Sequence, residues 1–119
     1  MIRRSGENIA AVEVESVLMR HPDITAAGVA AVPDDVRGDE VFACLTVADP
    51  SAQKAEELTH WALGQMAYYK VPGYIAFVEA LPLTATQKIQ RGDLKRWASE
   101  LLEDPATIKL THLKRRQTS

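Results

Sequence analysis

Lys88 stands in the segment Leu81-Pro82-Leu83-Thr84-Ala85-Thr86-Gln87-Lys88-Ile89-Gln90-Arg91, polar and β-branched, bracketed by a proline and a helix start. A lysine ammonium at a loop tip can reach a phosphate or carboxylate oxygen and balance its charge. A second segment, Arg3-Arg4-Ser5-Gly6-Glu7-Asn8-Ile9, sets a glycine turn between charged residues and a helix. Glycine there allows close approach of backbone to a ligand. Taken singly, a solvated lysine and a plain turn account for these residues more readily.

Other chemistry-bearing patterns are missing. The sequence has no GxxxxGK[ST] phosphate loop and no GxGxxG fingerprint. His21, His60 and His112 are far apart and hold no metal-ligand spacing with each other or with Cys44, so no metal site is expected. Each histidine reads as a surface or helix-end residue. The acidic pairs Glu13/Glu15 and Asp34/Asp35 suit solvated surfaces. Cys44, the single cysteine, lies in the apolar run Val41-Phe42-Ala43-Cys44-Leu45-Thr46-Val47 and reads as a buried small side chain.

Composition narrows the class. With 119 residues, 46% of them hydrophobic, the chain supports one core. Fourteen basic against sixteen acidic residues give a net charge of −2, which gives no support for a nucleic-acid partner. No apolar stretch approaches the roughly 20 residues that span a bilayer. The basic start Met1-Ile2-Arg3-Arg4 lacks the apolar region of a signal peptide. A cytoplasmic location is expected, in keeping with a lone cysteine.

The elements that must position Lys88 and Gly6 follow from periodicity. A short extended piece and the glycine turn lead into a helix over 10–20, where Val14, Val17 and Leu18 share a face and His21-Pro22 ends it. The Val12/Val14/Val17 stripe and both tryptophans read as core. Apolar runs over 24–32 and 41–47, separated by a polar loop over 33–40, predict an antiparallel strand pair. A helix over 55–67 carries Leu58, Trp61, Ala62 and Met66 on one face. A strand over 74–78, an extended or hairpin-like piece over 81–90 and a helix over 92–102 complete the pattern. Periodicity fades from Asp104, so residues 1–103 are expected to form the domain and 104–119 a frayed tail. The fold class expected is α+β, a small mixed sheet with about three packed helices.

In order along the chain, these motifs resemble the C-terminal domain of the adenylate-forming, or AMP-binding, superfamily. They are Ile2-Arg3-Arg4-Ser5-Gly6-Glu7-Asn8-Ile9, Glu13-Val14-Glu15, His21-Pro22, Val32-Pro33-Asp34 with Arg37-Gly38-Asp39-Glu40, Tyr69-Lys70-Val71-Pro72, and Leu81-Pro82 through Lys88-Ile89. The resemblance runs from Met1 to about Leu102. It implies the mobile lid of an acyl-CoA ligase, which turns a carboxylic acid and ATP into an acyl-adenylate and then passes the acyl group to coenzyme A. Mg2+ is expected with the ATP, bound outside this chain. The partner implied is a large N-terminal domain of the same polypeptide, missing from these residues, without which the lid is inactive.

Carried over by position, Lys88 matches the adenylation lysine. The family often has glycine just before it, where this chain has Gln87. Ser5, Gly6 and Glu7 match the loop that lines the pantetheine tunnel after the lid rotates. Arg37 and Tyr69 fall where related ligases contact the nucleotide end of coenzyme A, and Lys70 is a weaker phosphate candidate. For Tyr69 and Arg37, core-edge packing and a surface charge fit equally well. The Arg-Ser-Gly-Glu-Asn-Ile form points toward the fatty or medium-chain acyl-CoA branch. Two other readings stay open: the lid of a peptide-synthetase adenylation domain, and a stand-alone binding module without catalysis.

Overall fold

A computed structural model describes residues 2–4, 6–35 and 38–114. Its centre is a long antiparallel pair, β3 (Ile24–Asp34) and β4 (Gly38–Val47), in register from Ala26↔Thr46 to Asp34↔Gly38. The apolar runs were expected over 24–32 and 41–47. Pairing carries both strands further, so Glu40 lies in β4 and not in a loop. The opposite edge of β4 takes β1 (Ile2–Arg4) near its start, through Arg4↔Gly38, and β5 (Tyr74–Phe77) farther along as a parallel neighbour. β2 (Glu7–Ile9) folds back on β1, and β6 (Ile108–Lys109) adds antiparallel to β5. The result is a mixed six-stranded sheet.

Side chains alternate across a strand, so β4 feeds two cores. Val41, Ala43 and Leu45 face a larger one closed by α1 (Ala11–Leu18) and α2 (Ala52–Leu63). Phe42 and Cys44 face a smaller one closed by Leu94 and Ala98 of α3 (Arg91–Leu101). The expected α+β class, with three helices on a small mixed sheet, is what the structure has.

The helices follow their apolar stripes, with corrected ends. In α1 the buried set is Val14, Glu15, Val17 and Leu18, whereas Val12, expected in the core, is 61% exposed. α2 starts three residues earlier than expected because the Ser51 hydroxyl accepts the Lys54 amide, 3.0 Å away, and caps it. It ends at Leu63, before Gly64, leaving Met66 in the following turn. Trp61 is half-buried at the border of the larger core, and Trp97, expected in the core, is half-buried on α3 outside both clusters.

The segment after residue 103 departs most from expectation. As far as Lys114 it belongs to the fold: β6 pairs with β5, Leu110 is fully buried, and the Leu110 amide donates to the Gly73 carbonyl at 2.7 Å. Thr111–Leu113 forms a 3-10 turn, and the Lys114 side chain enters the interior. A two-residue strand and one leucine carry no readable period, so no pattern announces this segment.

Candidate functional site

The segment around Lys88 is a three-residue hairpin. The Gln87 amide donates to the Thr84 carbonyl at 2.9 Å, and the Thr84 amide donates to the Lys88 carbonyl at 2.7 Å. The Lys88 amide donates to the Thr84 hydroxyl at 3.1 Å, and Leu83 bridges Ile89. Such a loop is a turn followed by one residue in left-handed conformation. That residue is Gln87, with φ 65°, the one non-glycine with positive φ among the described residues. The departure from the family's glycine therefore falls where glycine is conformationally favoured. Lys88 is exposed, and no ion pair holds its ammonium among the described residues.

The β1–β2 hairpin turns at Gly6, whose φ of 82° suits glycine. A Cβ there would meet nothing within 4 Å among the described residues, which leave the space beside the turn open. Gly6, Gly38, Arg3 and Asp39 line a shallow cleft of about 360 Å³, closed at one end where the Arg3 amide donates to Asp39 Oδ2 at 3.1 Å. Glu7 is exposed. Ser5 and Arg37, both expected site residues, lie outside the described residues.

Tyr69 and Lys70 gather near the same hairpin. Lys70 donates to Glu13 Oε1 at 2.7 Å. That hydrogen bond is the main reason its pKa is raised, with smaller attractions from the charges of Glu13 and Glu7. Lys70 is thus cationic and already engaged. Tyr69 is half-buried on the larger core, edge-on to Tyr68 at 5.6 Å, and its carbonyl accepts Lys114 Nζ at 3.2 Å. The Arg4 guanidinium sits 5.9 Å from the centre of the Tyr68 ring. Gly6, Glu7, Tyr69 and Lys70 therefore share one region, and Lys88 stands apart, its neighbour Ile89 packed on the smaller core.

Two charged clusters escaped the sequence reading. Glu40 is fully buried. Its Oε2 accepts Arg4 Nε at 2.7 Å, Lys114 Nζ at 3.0 Å and the Val41 amide at 3.0 Å, while its Oε1 has no hydrogen-bond partner among the described residues. Gly73 makes room for it, since a Cβ there would run into the carboxyl group. Arg4 alternates with Ile2 on β1, a period-2 signal that it points inward. The second cluster corrects the expectation for Glu15, which is not solvated. It accepts the Val29 amide at 2.7 Å and both terminal nitrogens of Arg91, at 2.6 and 2.7 Å. This hydrogen bonding and, after it, the Glu15 charge hold the Arg91 pKa above its ordinary value against the opposing effect of burial. Glu15 lies four residues after Ala11 and three before Leu18, on the stripe that turns inward.

A lid-like sheet with an exposed lysine hairpin and a glycine turn defines a class. The sequence profile of the AMP-binding enzyme C-terminal domain matches residues 13–88, and the chain belongs to that family. Over 103 residues it is 37% identical to the mitochondrial medium-chain acyl-CoA ligase ACSF2 of Mus musculus, covering 87% of this chain and 17% of that protein. Its fold matches an acyl-CoA synthetase of Brucella canis with a TM-score of 0.79 at 35% identity, over 86% of this chain and 19% of the other. It also matches the o-succinylbenzoate CoA synthetase of Bacillus subtilis, solved with an acyl-adenylate, with a TM-score of 0.73 at 38% identity, over 79% and 19%. The chain thus spans under a fifth of the length of these relatives.

Proposed function

We propose that this chain is the lid of an ATP-dependent acyl-CoA ligase and that Lys88 is its adenylation lysine. One observation carries the reading: the ammonium of Lys88, free of ion pairs among the described residues, stands on a hairpin at one face of the sheet, and the open glycine turn is anchored on the other. Similarity to named acyl-CoA ligases supports it.

In the first step a carboxylate oxygen attacks the α-phosphorus of ATP. The bond to the β-phosphate oxygen breaks, pyrophosphate leaves, and negative charge moves between oxygens. A fixed cation at those oxygens lowers the barrier more than a mobile one, because no solvent must reorganise. In the second step the coenzyme A thiol loses its proton and attacks the acyl carbon, and AMP leaves with the bonding electrons. Gly6, with Ser5 and Glu7, would flank the path of the thiol, where a backbone without a side chain leaves room. Tyr69 and Arg37 would meet the nucleotide end of coenzyme A by stacking and by pairing with phosphate. Lys70, already bonded to Glu13, would add charge to that region without leaving its partner.

The ATP, its Mg2+ and the acid would be held by an N-terminal domain of the same polypeptide. A medium-chain or other fatty acid is the substrate class that the ACSF2 similarity favours. The test is ATP–pyrophosphate exchange with medium-chain acids. The lid joined to its N-terminal domain should exchange, and the 119-residue chain alone should not. Exchange by the isolated chain would reject the reading.

A further inference from the structure

We propose that Arg91 is a positioning residue for Lys88, and that it works by clamping the lysine hairpin to Glu15 of α1 around the free edge of β3. This inference rests on the adenylation role of Lys88.

Among the described residues β3 pairs with β4 alone, so its outer edge presents unpaired backbone groups. At Val29 this edge is occupied: Glu15 Oε2 takes the amide hydrogen at 2.7 Å, and an Arg91 terminal nitrogen lies 3.5 Å from the carbonyl. Glu15 alone would satisfy the amide. Arg91 adds a two-pronged fork that joins α1, on one face of the sheet, to α3 on the other. Its Oε2–Nη1 and Oε1–Nη2 distances of 2.6 and 2.7 Å are those of a charge-assisted bidentate pair.

Arg91 is the first residue of α3, where the helix dipole disfavours a cation. The helix start has no side-chain cap from Gln90 to fix it either. The Arg91 side chain is 46% exposed, so the pair adds little to global stability. Its value is geometric. Lys88 is three residues before the fork, and the hairpin that carries it is largely exposed: Ile89 and Leu81 pack it on the smaller core, while the Gln90 amide on the Pro82 carbonyl at 2.7 Å only joins its two arms. A misplacement near 1 Å of a catalytic group costs on the order of 100-fold in rate. A fork that fixes the base of the hairpin guards against that loss.

The test is a double-mutant cycle in the full-length ligase, scored on each half-reaction. Arg91→Ala should slow adenylation on the order of 10- to 100-fold and leave thioester formation from supplied acyl-adenylate within about twofold. In a Lys88→Ala background the same change should add less than about twofold, because a positioning residue has nothing left to position. Arg91→Lys, a point charge without the fork, should fall between. Equal loss in both half-reactions, or losses that multiply with those of Lys88→Ala, would overturn the proposal. A second readout does not depend on the role of Lys88. In the 119-residue chain, Arg91→Ala should speed exchange of the Thr84 and Gln90 amides roughly tenfold and spare those of β4. Unchanged exchange at Thr84 and Gln90 would refute the clamp even if Lys88 proved catalytic. Intact clamping with no effect of Lys88→Ala on adenylation would instead reject the role given to the lysine.

Discussion

Gly6 and Lys88 are anchored on opposite faces of one sheet. Ile2 and Ile9, which flank the glycine hairpin, are buried in the core under α1 and α2, whereas Ile89, next to the lysine, packs on the core under α3. Rotation of the whole lid would present them in turn, and separate chemical steps would then depend on separate loops.

Gly6→Val places a β-branched residue at a φ of 82°, where such side chains are strained by about 1–2 kcal/mol. None of the described residues would clash with it. In the full-length ligase the thiol step should slow on the order of tenfold or more, with adenylation changed far less. Rates of thioester formation from supplied acyl-adenylate, measured beside pyrophosphate exchange, check this.

Gln87 pays a conformational cost at the tip of the lysine hairpin. Gln87→Gly should be neutral to stabilising by up to about 1 kcal/mol, since relief of the left-handed strain is partly offset by the greater freedom of glycine in the unfolded chain. Gln87→Val should destabilise the hairpin and slow adenylation. Thermal melts and pyrophosphate exchange check this: both should fall for Gln87→Val and neither for Gln87→Gly.

Glu40 faces two buried cations, Arg4 and Lys114, from opposite ends of the described chain. Glu40→Gln removes the charge that compensates both, and should destabilise the fold by about 3–5 kcal/mol. Ending the chain at residue 103 removes Lys114 and the buried Leu110 and should also lower the melting temperature. Urea unfolding checks both.

Burial pushes the Cys44 thiol from 9.0 up to about 12. An unfolded chain loses that proton near pH 9 and the folded chain keeps it, so the contribution is full below pH 9 and declines as pH rises toward 12. The loss attributable to Cys44 should approach about 1.4 kcal/mol per pH unit in that window, and Cys44→Ala should remove it. Unfolding curves of both chains at pH 8 and pH 10.5 give the difference.

The three helices, the β3–β4 pair and the lysine hairpin were all legible, because each carries either a clear apolar period or turn residues. Fading periodicity at Asp104 misled, since β6 and Leu110 are recruited by β5 and Gly73 and not by their own pattern. Glu15 and Glu40 misled for a related reason. Sequence polarity marks a carboxylate as solvated, and only tertiary structure brings Arg91, Arg4 and Lys114 to it. The positive φ of Gln87 was foreshadowed only by its taking the place of a glycine.

Lys88→Ala in the full-length ligase bears most directly on the account. Pyrophosphate exchange should fall on the order of 100- to 1,000-fold, while thioester formation from supplied acyl-adenylate and coenzyme A stays within a few-fold of wild type. Exchange at the wild-type rate, or an equal fall in both half-reactions, would contradict it.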